Sequence, residues 1–159
     1  MSSAVPRGED VIPAISTLVT GPLGVMHLPR FWLKNLLHAL GRLPPGYKST
    51  TGMFDRMLIE TLGLDERAVE DFIKAARPDY LQFEAWIRDH ARHLNADVID
   101  ELNQRYRQAL MSEGGAQTRR AELGLTDETM RGGIILNDLD DWSLLHHQLA
   151  GPVASDSAS

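Results

Sequence analysis

The stretch Pro29-Arg30-Phe31-Trp32-Leu33-Lys34-Asn35-Leu36-Leu37-His38-Ala39-Leu40-Gly41-Arg42-Leu43 decides the class of the fold. Trp32, Leu36 and Leu40 recur every four residues, and Leu33 and Leu37 widen that apolar stripe to the breadth a helix buries against a core. Pro29 suits the first turn, where a missing N–H costs nothing. Gly41 can end the helix, and Pro44-Pro45-Gly46 breaks the chain after it.

The same period recurs downstream. A second helix is expected from about Met53 to Leu62, with Phe54, Met57, Leu58 and Leu62 apolar and Gly63 as its stop. Asp65 can cap a third helix carrying Val69, Phe72 and Ile73, which Arg77-Pro78 ends. Asp79 can cap a fourth, with Phe83, Trp86, Ile87 and Leu94 inward, and Asn95 a fifth, with Val98, Ile99, Leu102, Tyr106 and Leu110. Gly114-Gly115 breaks the pattern before a short helical turn near Thr118–Leu123. The last helix runs through Leu139, Trp142, Leu145 and Leu149 and closes at Gly151-Pro152. Ile134-Ile135-Leu136 alone reads as a strand, and a strand without a partner is not stable. The expectation is a mainly α fold: a compact single-domain bundle of five to six helices with little or no β-structure. Strand content should stay below about a tenth, against a norm of ~20–25%. Residues 1–12 read as a flexible N-terminus, 13–150 as the helical domain and 151–159 as a flexible, small and polar tail.

The whole chain bounds function by exclusion. Its 159 residues are 43% hydrophobic, enough for one core. There is no cysteine, which removes a disulfide framework, a cysteine nucleophile and a thiolate metal site. The net charge is -6, and the sixteen Lys and Arg form no concentrated basic stretch, which argues against a nucleic-acid partner. No apolar run approaches the ~20 residues of a membrane span. The opening Met1–Ser16 stretch lacks a signal peptide's continuous apolar segment, so the expected location is cytoplasmic. No signal for oligomeric state is present.

The chemistry gathers on the first helix. His27, Arg30, Lys34 and His38 stand at i, i+3, i+7 and i+11, along one side. Stacked cations repel and need anions, yet no acidic residue lies between Met26 and Thr51. Asp55, opening the next helix, is a candidate counter-ion. In an anion-accepting pocket Arg30 can grip a carboxylate bidentately and Lys34 can act as a point charge. His27 or Asp55 would then move a proton, with His38, Trp86 and Trp142 as further substrate contacts. This pattern suits a small enzyme of isomerase, lyase or cyclase type acting on an anionic or carbonyl-bearing small molecule. No redox or group-carrying cofactor motif is present, so it is expected to need none. The rival reading is a non-catalytic module in which the stripe is solvated, completes a salt-bridge network, or docks an acidic partner.

Other patterns are weaker. His90, His93 and Asp97 have ligand-like spacing, but Asn95 interrupts the helix between them, so no metal site is expected. Asp138, Asp140 and Asp141 lack the glycine and distal glutamate of a calcium loop and read as acids favouring a helix N-terminus. His146-His147 suits a helix C-terminus. Arg131-Gly132-Gly133 is too short for a phosphate-binding fingerprint, and no Gly-x-Ser-x-Gly elbow occurs.

The segment Gly24-Val25-Met26-His27-Leu28-Pro29-Arg30, with Lys34 one turn on, resembles the bacterial domain-of-unknown-function family 5069. Asp55 in Gly52-Met53-Phe54-Asp55, the pair Trp86-Ile87, and Leu139-Asp140-Asp141-Trp142 fall where that family has like residues, so the resemblance spans about Gly21 to Trp142. It departs at Leu33, where the family has an acid, near Leu36, where it has a second arginine, and near Gly52, where it has a cysteine. The departures imply a more hydrophobic site. The resemblance implies no established activity.

Overall fold

Three caps set the helix boundaries where side-chain chemistry dictates. Asp65 Oδ1 accepts from the N–H groups of Arg67 (3.0 Å) and Ala68 (3.2 Å). Asp79 accepts from Gln82 N at 2.8 Å, while Gln82 Oε1 accepts from Asp79 N at 2.9 Å, a reciprocal capping box. Asn95 accepts from Val98 N at 3.0 Å. The computed structural model describes residues 9–110 and 113–151, and its helices are α1 (Leu28–Ala39), α2 (Met53–Leu62), α3 (Glu66–Ala76), α4 (Tyr80–His90), α5 (Ala96–Arg107), α6 (Glu113–Leu123) and α7 (Gly133–Ala150). Among the described residues there is no strand, only an isolated bridge between Leu110 and Gly132.

The expected apolar faces build the core. Phe31 of α1, Leu58 and Leu62 of α2, Val69 of α3, Phe83 and Ile87 of α4, and Leu102 and Tyr106 of α5 are all fully buried. Each such side chain contributes roughly 1.5–3 kcal/mol of burial. α1 packs on α3 and α4, α2 on α5, and α6 on α7. No described helix is long and apolar enough to cross a membrane.

Several expectations need correction. Among the described residues the helices number seven, not five to six, because α6 begins at Glu113 and takes both Gly114 and Gly115 into its first turn. Glycine costs a helix only about 1 kcal/mol, and burial of Ala116, Arg119 and Arg120 offsets it. Ile134-Ile135-Leu136 is helical, within the first turns of α7, with Ile134 and Leu136 buried and Ile135 out. The helical ladder satisfies its backbone without a partner strand, and β-branching weakens a helix only slightly. Leu94 lies beyond the end of α4, in the turn before α5.

Within the segment expected to be flexible, Asp10 and Ile12 are buried, and Val11 N donates to Arg42 O at 2.9 Å. The rest of the expected N-terminal segment, 1–8, and the tail 152–159 lie outside the described residues.

Candidate functional site

α1 starts at a strained residue. His27 is its N-cap with φ 71, in the left-handed region, which few residues other than glycine adopt. Its N–H donates to Thr17 O at 2.8 Å. The N–H of the preceding residue, Met26, donates to Asn103 Oδ1 of α5 at 2.9 Å, and Asn103 Nδ2 donates back to Gly24 O at 2.8 Å. With the backbone so held, the His27 ring points inward among Phe31, Phe54 and Tyr106.

From that ring runs a chain of four polar groups. Thr17 Oγ1 lies 2.9 Å from His27 Nδ1, His27 Nε2 lies 2.7 Å from Asp55 Oδ1, and Asp55 Oδ2 accepts from Lys34 Nζ at 2.6 Å. Gly52 N also donates to Asp55 Oδ2, at 3.1 Å. Burial pushes the Asp55 carboxyl up, but the His27 hydrogen bond and the Lys34 charge outweigh it and hold it below the usual carboxylate range. Asp55 is therefore an acceptor, so His27 Nε2 carries the proton and Nδ1 accepts from the Thr17 hydroxyl. Burial keeps this imidazole neutral, lowering its pKa to about 4 against the pull of Asp55. Burial also lowers Lys34, with Asp55 opposing.

A second cluster lies beside the first. Arg30 donates to Asp141 Oδ2 at 2.5 Å and to the carbonyls of Pro13 (2.6 Å) and Ile15 (3.0 Å). Tyr47 OH donates to Asp141 Oδ1 at 2.7 Å, and Arg119 pairs with Asp140 at 2.9 Å. Burial raises Asp141 against the pull of Arg30, and raises Asp140 against that of Arg119.

Both clusters open on one cavity of about 240 Å³. His27, Arg30, Lys34 and Asp55 all line it, on side chains no more than 8% exposed. Tyr47, Lys48, Arg119, Asn137, Asp140 and Asp141 complete its polar wall. Lys48 is exposed at the rim and has no carboxylate partner among the described residues. Arg30, Lys34 and Arg119 each face a carboxylate (Asp141, Asp55 and Asp140), and Glu122 also lies 3.6 Å from Arg119, so Lys48 is the lining cation left without one among the described residues.

The other candidates lie elsewhere. His38 is exposed and lines a separate depression with Glu70 and Lys74. It shares a face with His27, but eleven residues at ~1.5 Å place it ~16 Å down the axis. Trp86 stacks between Phe72 (5.0 Å) and His90 (4.0 Å), away from the cavity. Trp142 is 53% exposed and does not line the cavity. Asp141 faces inward, and the next helical residue points ~100° away. The departures at Leu33 and Leu36 do not make the site more hydrophobic, because neither residue lines it.

Sequence reasoning missed the partner of Arg30. The carboxylate it needs is Asp141, not Asp55. Asp138, Asp140 and Asp141 are not first-turn acids: α7 starts at Gly133, so they sit mid-helix, and Asp138 accepts from Ser16 Oγ at 2.9 Å. The signal was the Leu139–Trp142 segment. Tyr47, inside the Pro-Gly break, gave none. Among the described residues no three His, Asp or Glu side chains gather as a metal site, and His90 Nδ1 is instead 2.8 Å from Trp86 O.

A family model described as a domain of unknown function, DUF5069, matches residues 21–141. The chain belongs to the DUF5069 family. No curated protein matches it. The DUF5069 span contains every charged residue that lines the cavity and ends on Asp141 itself. Thr17, Pro13 and Ile15, which brace the DUF5069 site from behind, lie before the span.

Proposed function

We propose that this DUF5069 protein is a small enzyme that works with its own side chains on an anionic, carbonyl-bearing small molecule, by proton transfer of the isomerase, lyase or cyclase kind. One observation carries the reading: the Thr17–His27–Asp55–Lys34 chain ends at the cavity on Lys34 Nζ. Among the described residues only Asp55 accepts from Nζ, which leaves two of its three N–H donors for a guest oxygen. A structural ion pair has no need of a concave opening. The volume is below the ~300–1,000 Å³ of sites for drug-sized ligands, which favours a guest smaller than those.

In the proposed reaction Lys48, at the mouth, holds the guest's carboxylate. Lys34 donates to the carbonyl oxygen and stabilises the negative charge that forms there when an adjacent C–H is lost. Asp55 is the base within reach of that proton, and His27, braced by Thr17, keeps its carboxylate aimed. His27 is a positioning residue, since both ring nitrogens are engaged.

The test is hydrogen–deuterium exchange at the carbon beside the carbonyl, followed by proton NMR on a panel of short 2-oxo and 3-oxo acids. The wild-type chain should accelerate exchange of at least one. Asp55→Asn and Lys34→Met should lower that rate by about 10²–10⁴-fold, the usual weight of a general acid or base. A specific observation favours the rival reading of a non-catalytic module: Arg30, Lys34 and Arg119 each already have a carboxylate. Under that reading no acid on the panel exchanges faster than in buffer, and the enzyme assignment falls.

A further inference from the structure

We propose that Lys34 is a covalent catalyst, its amine condensing with the carbonyl carbon of a short 2-oxo acid to form an imine. The proposal rests on the reading of the cavity as a catalytic site and deepens it. Three observations carry it. First, the chain has only three lysines, and they stand in different settings. Lys34 is buried in the cavity wall, Lys48 is exposed at the rim, and Lys74 belongs to the separate depression that His38 lines. Second, among the described residues the other buried cations, Arg30, Arg119 and Arg120, are all arginine. A guanidinium makes the better buried ion pair and cannot lose its proton to become a nucleophile, so a lysine here is the one buried cation able to attack a carbonyl. Third, Nζ lies 2.6 Å from Asp55 Oδ2, a carboxylate placed to take its proton, with His27 and Thr17 bonded in series behind. Burial lowers Lys34 in the direction this chemistry needs, with the Arg30 charge acting the same way.

The step balances without a redox partner. The ammonium proton passes from Lys34 Nζ to Asp55 Oδ2. The freed lone pair forms a C–N bond to the carbonyl carbon, and the C=O π pair moves to oxygen, which takes the second N–H proton to give a neutral carbinolamine. The nitrogen lone pair then forms C=N as the C–O bond breaks, and the hydroxyl leaves as water with the proton held by Asp55. The sum is ammonium plus carbonyl giving protonated imine plus water. The protonated imine draws electrons more strongly than the carbonyl and so acidifies the neighbouring C–H.

The experiment is borohydride trapping on the full wild-type chain, with pyruvate, glyoxylate and acetaldehyde as separate probes, followed by intact-mass measurement and peptide mapping. The expected result is one adduct, heavier by the mass of the probe less one oxygen, on Lys34 at least tenfold above Lys48 and Lys74. Glyoxylate and pyruvate should outdo acetaldehyde, which lacks the carboxylate. Labelling in urea, where the lysines are equivalent, should lose the selectivity. Lys34→Arg keeps the charge and should abolish trapping while its circular dichroism stays helical. An even spread over the three lysines, or no adduct from any probe, overturns the imine. If α-proton exchange still occurs and is lost in Lys34→Met, the imine alone falls and the proton-transfer reading stands. If exchange is absent too, both fall.

Discussion

His27 illustrates how one residue can hold a site at the expense of its own titration. Its backbone is left-handed and its imidazole is neutral, packed on three aromatic rings. Burial depresses its pKa from 6.5 to about 4, so the unfolded chain takes up a proton that the native chain refuses. Its contribution to stability is therefore complete above pH ~6.5 and is lost as pH falls toward 4. The slope should approach 1.4 kcal/mol per pH unit, roughly 3 kcal/mol over that window. Asp138, Asp140 and Asp141 have raised values and act with the opposite sign, gaining as they protonate in acid, so the His27 slope is read at the upper end of that range. Urea melts across that range should show the slope, and His27→Asn, which tolerates a left-handed backbone, should flatten it. Arg30 gives a different prediction. Arg30→Ala strands Asp141 and frees the carbonyls of Pro13 and Ile15, so it should cost about 3–5 kcal/mol in the same melts. A variant that melts like wild type would refute that role. The stripe His27, Arg30, Lys34 was legible because helical spacing alone aligns it. The pairing of Arg30 was not, because Asp141 is 111 residues away and spacing carries no long-range information.

At the scale of elements, the capped helices were the readable ones. Asp65, Asp79 and Asn95 announce α3, α4 and α5 because a cap is a contact between near neighbours. α6 and the start of α7 were hidden because tertiary burial, not local preference, makes them helical. Asn103 shows how an element reaches the site without touching it. From α5 it clamps Met26 N and Gly24 O, the loop that delivers His27 to the head of α1. Asn103→Leu fills the volume but leaves both backbone groups unpaired in a buried setting, which should cost about 1–3 kcal/mol. It should also lower the α-proton exchange rate, since His27 loses its anchored backbone. If chemical melts show the loss of stability while exchange keeps its full rate, the loop does not transmit to the site.

At the scale of the molecule, the cavity joins two bodies that are held differently. α1 to α5 share one apolar core, whereas Ile134 is the only residue of α6 or α7 in that cluster among the described residues. α7 is attached chiefly by polar contacts: Asp141 with Arg30 and Tyr47, Asp138 with Ser16, and Gln148 Nε2 with Asp10 O. A pair of helices that adds only one residue to the shared apolar core has less burial to lose on opening than the helices that build it, so α6 and α7 should open locally before the rest. Amide exchange by mass spectrometry on the full chain should find them at least tenfold less protected than α1 to α5, and Asp141→Asn should widen the gap. Because Arg119, Asn137, Asp140 and Asp141 form one wall of the cavity while Lys34 and Asp55 form the other, a guest spanning it must bind the closed form better than the open one. A saturating 2-oxo acid should therefore slow exchange in α6 and α7 specifically, with little change in α3 and α4. Equal protection of all seven helices, unchanged by any such acid, would mean that the two walls form one rigid unit and that the guest does not bridge them.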